Sequence, residues 1–197
     1  MNLIHPRRYV RRCKRNAINS LFKLTCKMHH VKIFIGDNSE VHGCTVSSKG
    51  NGEIVIGNNC LLKNSSFNFY GQDGKIIIRD HVVINARRRV ETSLCVRNGS
   101  AIVIDDDCLL SNSIDISTTD WHRVLDESGE QINMEKDILI GKHVWIGRKV
   151  TICKGAMIGP NTIVAACSVV TKPVSECNVM IAGNPAIIKK RNVNWNK

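Results

Sequence analysis

Asp120, Trp121 and His122 stand side by side in a polar stretch and bring an acid, an aromatic ring and a titratable base to one place. Imidazole titrates near neutral pH, so it can take a proton from a hydroxyl and later return it. A loop histidine is as readily a solvated residue, and the other histidines have simpler explanations. His81 and His143 hold the same corner place in a repeat, His5, His29 and His30 lie in a basic helical stretch, and His42 is ambiguous. The nine cysteines form no C-x-x-C pair and have no histidine at zinc-finger spacing, so they read as reduced thiols.

What must position these residues is a repeat of six. Ile140, Ile146, Ile152, Ile158, Val164 and Val170 follow one another without a break, and the same step joins Ile35 to Val41, Ile56 to Leu62, Ile78 to Ile84, and Ile104 to Leu110 and Ile116. Four places after these anchors come mostly small or β-branched residues: Ser39, Thr45, Cys60, Ser66, Val82, Cys108, Ile114, Val144, Val150, Ala156, Thr162 and Ser168. Arg88 alone spoils that column. A period of six is neither helical nor a simple alternation; it calls for a turn after each short strand. Each hexapeptide then forms one side of a triangular coil. Its aliphatic anchor points inward, and Gly or Asn-Asp pairs such as Gly57-Asn58-Asn59 take the corners. Stacked coils bury a shared aliphatic column, and small residues, Cys60, Cys108 and Cys167 among them, fill space that larger side chains would overpack.

The spacing predicts an all-β solenoid, a left-handed parallel β-helix over residues 31–173. Short corner insertions are expected around Lys49–Asn51, Gly71–Gly74 and Arg97–Gly99. The longest interruption, 117–137, is polar and without the period, and should leave the prism wall as a loop carrying His122. Residues 1–30 form the N-terminal cap: Val10, Cys13, Ala17, Leu21, Leu24 and Met28 fall at helical spacing. Residues 174–197 are a C-terminal turn and tail.

The formal charge of +11 is uneven, because residues 1–30 hold eight basic residues and no acid, leaving +3 for the rest. The bare cap reading gives that helix a solvated basic face; weak association with an anionic membrane surface, or with an anionic polymer, is the alternative. Basic residues interleaved with aromatics are absent, which argues against nucleic-acid binding. No uninterrupted apolar run is long enough to cross a membrane and no secretory signal is visible, so the expectation is a cytoplasmic chain, at most peripheral to the membrane's inner face.

From Asp115 to Trp195 the runs DISTTDWH, DILIGKHVWIGRKVTICKGAMIG, VVTK, IAGNPA and NVNW resemble the hexapeptide-repeat acetyltransferases, above all the branch that O-acetylates bacterial surface polysaccharides such as polysialic acid. The resemblance is strong over the last two fifths of the chain and rests on the repeat alone before that. It implies acetyl-CoA as co-substrate, a saccharide hydroxyl as acceptor, no required metal and a homotrimer with its site between subunits. His122 matches the family's catalytic base. Trp145 matches the tryptophan along the acetyl and pantetheine arm, an exposed wall aromatic being the alternative. Arg148, Ala166, Thr171 and Lys172 match positions lining the coenzyme, and Lys190 a basic residue near its adenosine phosphate. Relatives share no single acidic partner for the histidine, so Asp120 is only a candidate orienter; a backbone carbonyl would fix the tautomer as well.

Other readings stay open on sequence. N-acetylation of an amino sugar nucleotide would suit the same wall, although such relatives often carry a nucleotide-binding domain not visible here. A metal-dependent hydratase needs several wall histidines at fixed spacing, and only His81 and His143 offer themselves. A non-catalytic β-helix scaffold is the third.

Overall fold

A computed structural model describes residues 30–87 and 91–196; the expected N-terminal helix and Arg88 lie outside them. No helix occurs among the described residues. The repeat resolves into a three-sided parallel solenoid, in which each coil gives one short strand to each face and pairs with its counterpart in the next coil.

The first face holds Val31–Ile35, the later halves of Thr45–Ile56 and Ser65–Ile78, then Ala101–Ile104, Ile138–Ile140 and Met157–Ile158. The second runs from Glu40–His42 through Leu61–Lys63, Val83–Asn85, Leu109–Leu110 and Trp145–Ile146 to Ile163–Val164 and Val179–Gly183. The third takes the early halves of the two long strands, then Thr92–Arg97, Asp115–Ser117, Thr151–Ile152 and Val169–Val170. Two of the expected insertions are thus absorbed into continuous strand that rounds a corner, with a register irregularity between Gly50 and Gly52. The third is a turn, Asn98 and Gly99 both adopting positive φ.

The anchors do point inward. Val41, Leu62, Ile84, Leu110, Ile146, Val164 and Ile181 stack through the second face, none more than 1% exposed. Burying each aliphatic side chain contributes about 1.5–3 kcal/mol, and because each coil covers only its neighbours the core is a continuous column.

The column of small residues slips in two early coils. Cys44 and Ser65 are fully buried where Thr45 and Ser66 were expected; Thr45 is left half-buried, and Ser66 keeps 7% of its surface exposed. The corners at Gly43 (φ 60°) and Asn64 (φ 47°) are one residue shorter than later ones, which moves the inward place forward. Cys60 and Cys108 do fill the interior, but Cys167 is exposed at a corner with φ 62°.

Outward, the faces differ in chemistry. On the first, Phe34, Val55, Ile77, Val103, Leu139 and Met157 pair rung to rung as an apolar ladder. On the second, Trp145 sits between Leu109 and Ile163. The third is polar: Thr45, Ser66, Ser93, Asp115 and Thr151 form one ladder, and Ser47, Asn68, Cys95 and Ser117 another. Beyond the last coil, Ala186–Arg191 folds back antiparallel on Val179–Gly183 and closes that edge with Lys189, Lys190 and Arg191, the charged cover expected of an edge strand.

Candidate active site

The long interruption departs from the third face after Ser117 and returns to the first at Ile138, so it stands at the corner between them. It is a small hairpin. Ile132 N–H donates to the Val124 carbonyl (2.9 Å), Leu125 bridges Gln131 antiparallel, and Asp126 N–H donates to the Glu130 carbonyl (2.9 Å) at the tip. Val124, Leu125, Ile132 and Met134 are each about half exposed or more, an apolar arm unusual for a free surface.

His122 lies where the hairpin begins, with an exposed side chain. Its backbone is fixed from both sides: His122 N–H donates to the Asp120 carbonyl (2.8 Å), and Asn133 Nδ2 donates to the His122 carbonyl (2.8 Å). Asn133 Nδ2 also donates to Asp120 Oδ2 (3.0 Å), while Asn133 Oδ1 accepts from Val124 N–H (2.7 Å). Beneath this lies Lys154, one coil along the same corner and only 14% exposed. Its ammonium donates to the carbonyls of Asn133 (2.7 Å) and Met134 (3.1 Å) and pairs with Asp120 Oδ2 (2.6 Å). All three of its protons are thereby used on the two ends of the hairpin.

The Asp120 carboxylate therefore faces Lys154 and Asn133, and among the described residues it makes no hydrogen bond to the imidazole. Its burial would raise the pKa, but the hydrogen bonds from Lys154 and Asn133 and the ammonium charge outweigh that and hold it below the ordinary carboxylate range. Asp115, on the third face, is pushed up by burial. The thiol of Cys153, beside Lys154, is pushed up by burial and by the carboxylates of Asp120 and Asp115, so it stays a thiol at neutral pH.

Trp121, just before His122, has φ 68°, a region bulky residues avoid at a cost of about 1–3 kcal/mol. Its surroundings impose that conformation. Thr119 Oγ1 accepts from its N–H (3.1 Å), Arg97 Nη1 donates to its carbonyl (3.1 Å), and its ring meets Tyr70 edge-on at 4.8 Å. Arg97 is also held by Glu135 (3.6 Å).

The expected coenzyme residues divide into two groups. Trp145, 38% exposed, projects from the second face, with Arg148 and Ala166 at the adjoining corner and Lys190 on the closing strand. The corners of Arg148 and Cys167 are stacked, the Cys167 N–H donating to the Arg148 carbonyl at 2.9 Å. Thr171 and Lys172 instead follow the last third-face strand, at the hairpin's corner, where the preceding coil holds Cys153 and Lys154. One chain thus puts His122, Lys154, Thr171 and Lys172 at one corner and Trp145 on the face opposite it. Trp195 supports Trp145: it is 9% exposed, stacks on His143 at 4.3 Å, donates from Nε1 to the His143 carbonyl (2.9 Å) and lies 6.1 Å from the Trp145 ring.

Sequence reasoning missed Lys154, Asn133 and Tyr70. Lys154 carried a signal, since it stands two places after anchor Ile152 as Thr118 stands after Ile116, which stacks it under the hairpin's departure. Among the described residues no three His, Cys, Asp or Glu side chains of one chain converge as a metal set.

The chain matches the family model for the bacterial transferase hexapeptide (six repeats) over residues 137–172. It is 34% identical over 122 residues to the polysialic acid O-acetyltransferase of Neisseria meningitidis, a match covering 53% of this chain and 57% of that protein. To the polysialic acid O-acetyltransferase of Escherichia coli O1:K1 / APEC it is 37% identical over 123 residues, covering 61% and 38%. The chain thus spans about half the length of the curated relatives it matches. The solved structure of polysialic acid O-acetyltransferase OatWY aligns with a TM-score of 0.67 at 31% identity, covering 85% of this chain and 88% of that one.

Proposed function

Because the chain belongs to the hexapeptide-repeat acetyltransferases, we propose that it moves an acetyl group from acetyl-CoA to a hydroxyl of a saccharide, with His122 as general base. The observation that carries this reading is the exposed His122 side chain on a hairpin whose backbone is clamped by Lys154 and Asn133. A solvated loop histidine needs no such clamp, whereas a base must be held to geometry before its substrate arrives.

In this reading His122 takes the proton of the acceptor hydroxyl as that oxygen attacks the thioester carbonyl. Collapse of the tetrahedral adduct breaks the C–S bond, and the imidazolium returns the proton to the departing thiolate. No bond to the enzyme forms. Asp120 and Lys154 are positioning residues, acting on His122 through Asn133 and the hairpin backbone. Trp145, Arg148, Ala166, Thr171, Lys172 and Lys190 hold the coenzyme, an anionic ligand suited to Arg and Lys.

The winding is left-handed, and the working unit is a trimer whose subunits share each site. The apolar hairpin and the apolar ladder of the first face give such an assembly surface to bury. His122→Ala should keep the fold and bind acetyl-CoA yet lose most turnover, measured as acceptor-dependent release of CoA. Normal transfer by that variant would remove His122 from the chemistry.

A further inference from the structure

The hairpin that carries His122 is stapled from two opposite sides, and the mechanism above uses one of the two staples. Each is a cation from an adjacent coil that reaches both legs of the hairpin. Lys154, at the following corner, holds Asp120 on the outgoing leg and the Asn133 and Met134 carbonyls on the returning one. Arg97, at the preceding corner, donates from Nη1 to the Trp121 carbonyl (3.1 Å) and pairs through Nε with Glu135 Oε1 (3.6 Å). Glu135 has only 11% of its side chain exposed and also accepts from Asn98 Nδ2 (3.3 Å), so its carboxylate is fixed and aims the guanidinium in turn. The backbone of Arg97 is tied to the root of the hairpin as well, its N–H donating to Oγ1 of the fully buried Thr118 (3.3 Å).

The two staples grip different halves of the histidine's backbone. The peptide after His122 is held by Asn133, whose Nδ2 donates to the His122 carbonyl (2.8 Å). The peptide before it joins the Trp121 carbonyl to the His122 N–H. Arg97 holds that carbonyl, and the N–H donates to the Asp120 carbonyl (2.8 Å). The last of these bonds closes a three-residue turn about Trp121 at φ 68°, the strained, positive-φ member of the γ-turn pair. Such a turn relaxes unless its surroundings over-determine it. Relaxation would rotate the Trp121–His122 peptide plane, and because that plane sets φ of His122, the imidazole would swing with it. Stability alone favours the relaxed turn, so the strain is spent on where His122 points.

We infer that Arg97 is a positioning residue for His122: aimed by Glu135, it acts through the Trp121 carbonyl to fix the peptide plane that Lys154 and Asn133 leave free. The inference rests on the general-base reading and adds the second half of what aims the proposed base.

The test removes the staple without stranding a nearly buried charge, by combining Arg97→Met with Glu135→Gln. Isotopic labelling of histidine lets NMR follow amide exchange at His122, its signal identified by its loss in His122→Ala, while kcat and KM for acetyl-CoA are measured in parallel. The double variant should exchange the His122 N–H about tenfold faster and lose about tenfold in kcat. KM for acetyl-CoA should stay within about twofold of wild type. Glu135→Gln alone leaves Arg97 on the carbonyl but aims it less firmly, and should show a fraction of both effects. Adding the pair to His122→Ala should cost no further turnover, because a residue that acts through His122 then has nothing left to position. Exchange and kcat both within about twofold of wild type in the double variant would overturn the inference. So would slower turnover with exchange unmoved, or a further loss in the His122→Ala background. Faster exchange with kcat intact would keep the staple and sink the general-base reading instead.

Discussion

Replacing Lys154 by methionine keeps the length and most of the volume of the side chain while deleting the ammonium that ties the hairpin down. Three acceptors lose a donor: the carbonyls of Asn133 (2.7 Å) and Met134 (3.1 Å) and Asp120 Oδ2 (2.6 Å). A carbonyl left short of a partner costs about 1 kcal/mol when water reaches it only partly. The Asp120 side chain is 43% exposed, so solvent compensates much of the lost ion pair and about 1 kcal/mol is a fair share for it. The sum, about 3 kcal/mol, is the preference for the docked hairpin that Lys154 supplies. At about 1.4 kcal/mol per factor of ten, the competent population falls by at most about a hundredfold.

The assay is kcat by chromatographic quantitation of released CoA, with KM for acetyl-CoA measured alongside. The reasoning expects kcat to fall by one to two orders of magnitude, by the conversion above, KM for acetyl-CoA to hold, and trypsin to cut faster at Arg123, on the hairpin. Lys154→Arg should recover part of the loss, since it restores the charge but its planar fork cannot serve three acceptors so placed. A folded Lys154→Met protein with kcat within about threefold of wild type, well short of the expected loss, would show that the hairpin is held without Lys154.

Asp120 titrates below the ordinary carboxylate range in the folded chain, so its contribution is present above about pH 4 and is lost as the pH falls through its folded value. Hairpin protection from an acid-active protease should show that step, and Asp120→Asn should remove it. Trp195→Ala should destabilise the chain by about 3 kcal/mol, because the ring is buried on His143, and should raise KM for acetyl-CoA more than it lowers kcat, because Trp145 loses its lateral support. His122→Ala and Trp145→Ala chains, each weak alone, should regain turnover when co-assembled, a gain that subunits acting independently would not show.

The anchors were legible because a period of six leaves no other way to bury Ile140 through Val170, and those residues do line the interior. Corner lengths were not, since anchors fix where strands face and not how many residues round each bend. Thr45 and Ser66 were misplaced for that reason, and with them the polar face they help to form. His122, the proposed base, was legible as a lone histidine in the longest interruption. Its supports were not, because Asn133 returns from the far side of the hairpin and Lys154 comes from the next coil. Asp120 was expected near the imidazole by adjacency, but its carboxylate pairs with the Lys154 ammonium instead. Tyr70 meets Trp121 across 51 positions of sequence, a distance only the count of coils can close.

The placement of the two proposed halves constrains the assembly more than either half does alone. Ser117 ends a third-face strand and Ile138 begins a first-face strand, so the hairpin's corner is the one opposite the second face, from which Trp145 projects. The hairpin's contacts, to Arg97, Asn98, Ala101 and Lys154, keep it at that corner. A base and a coenzyme wall on opposite sides of a rigid prism cannot meet by a loop movement that leaves those contacts intact. They can meet when the corner of one copy is set against the second face of another, and the half-exposed Val124, Leu125, Ile132 and Met134 lie on the part that would enter such a junction. The division of the proposed coenzyme residues has the same explanation: Thr171 and Lys172 share the hairpin's corner, so they would approach the neighbour's Trp145 together with His122.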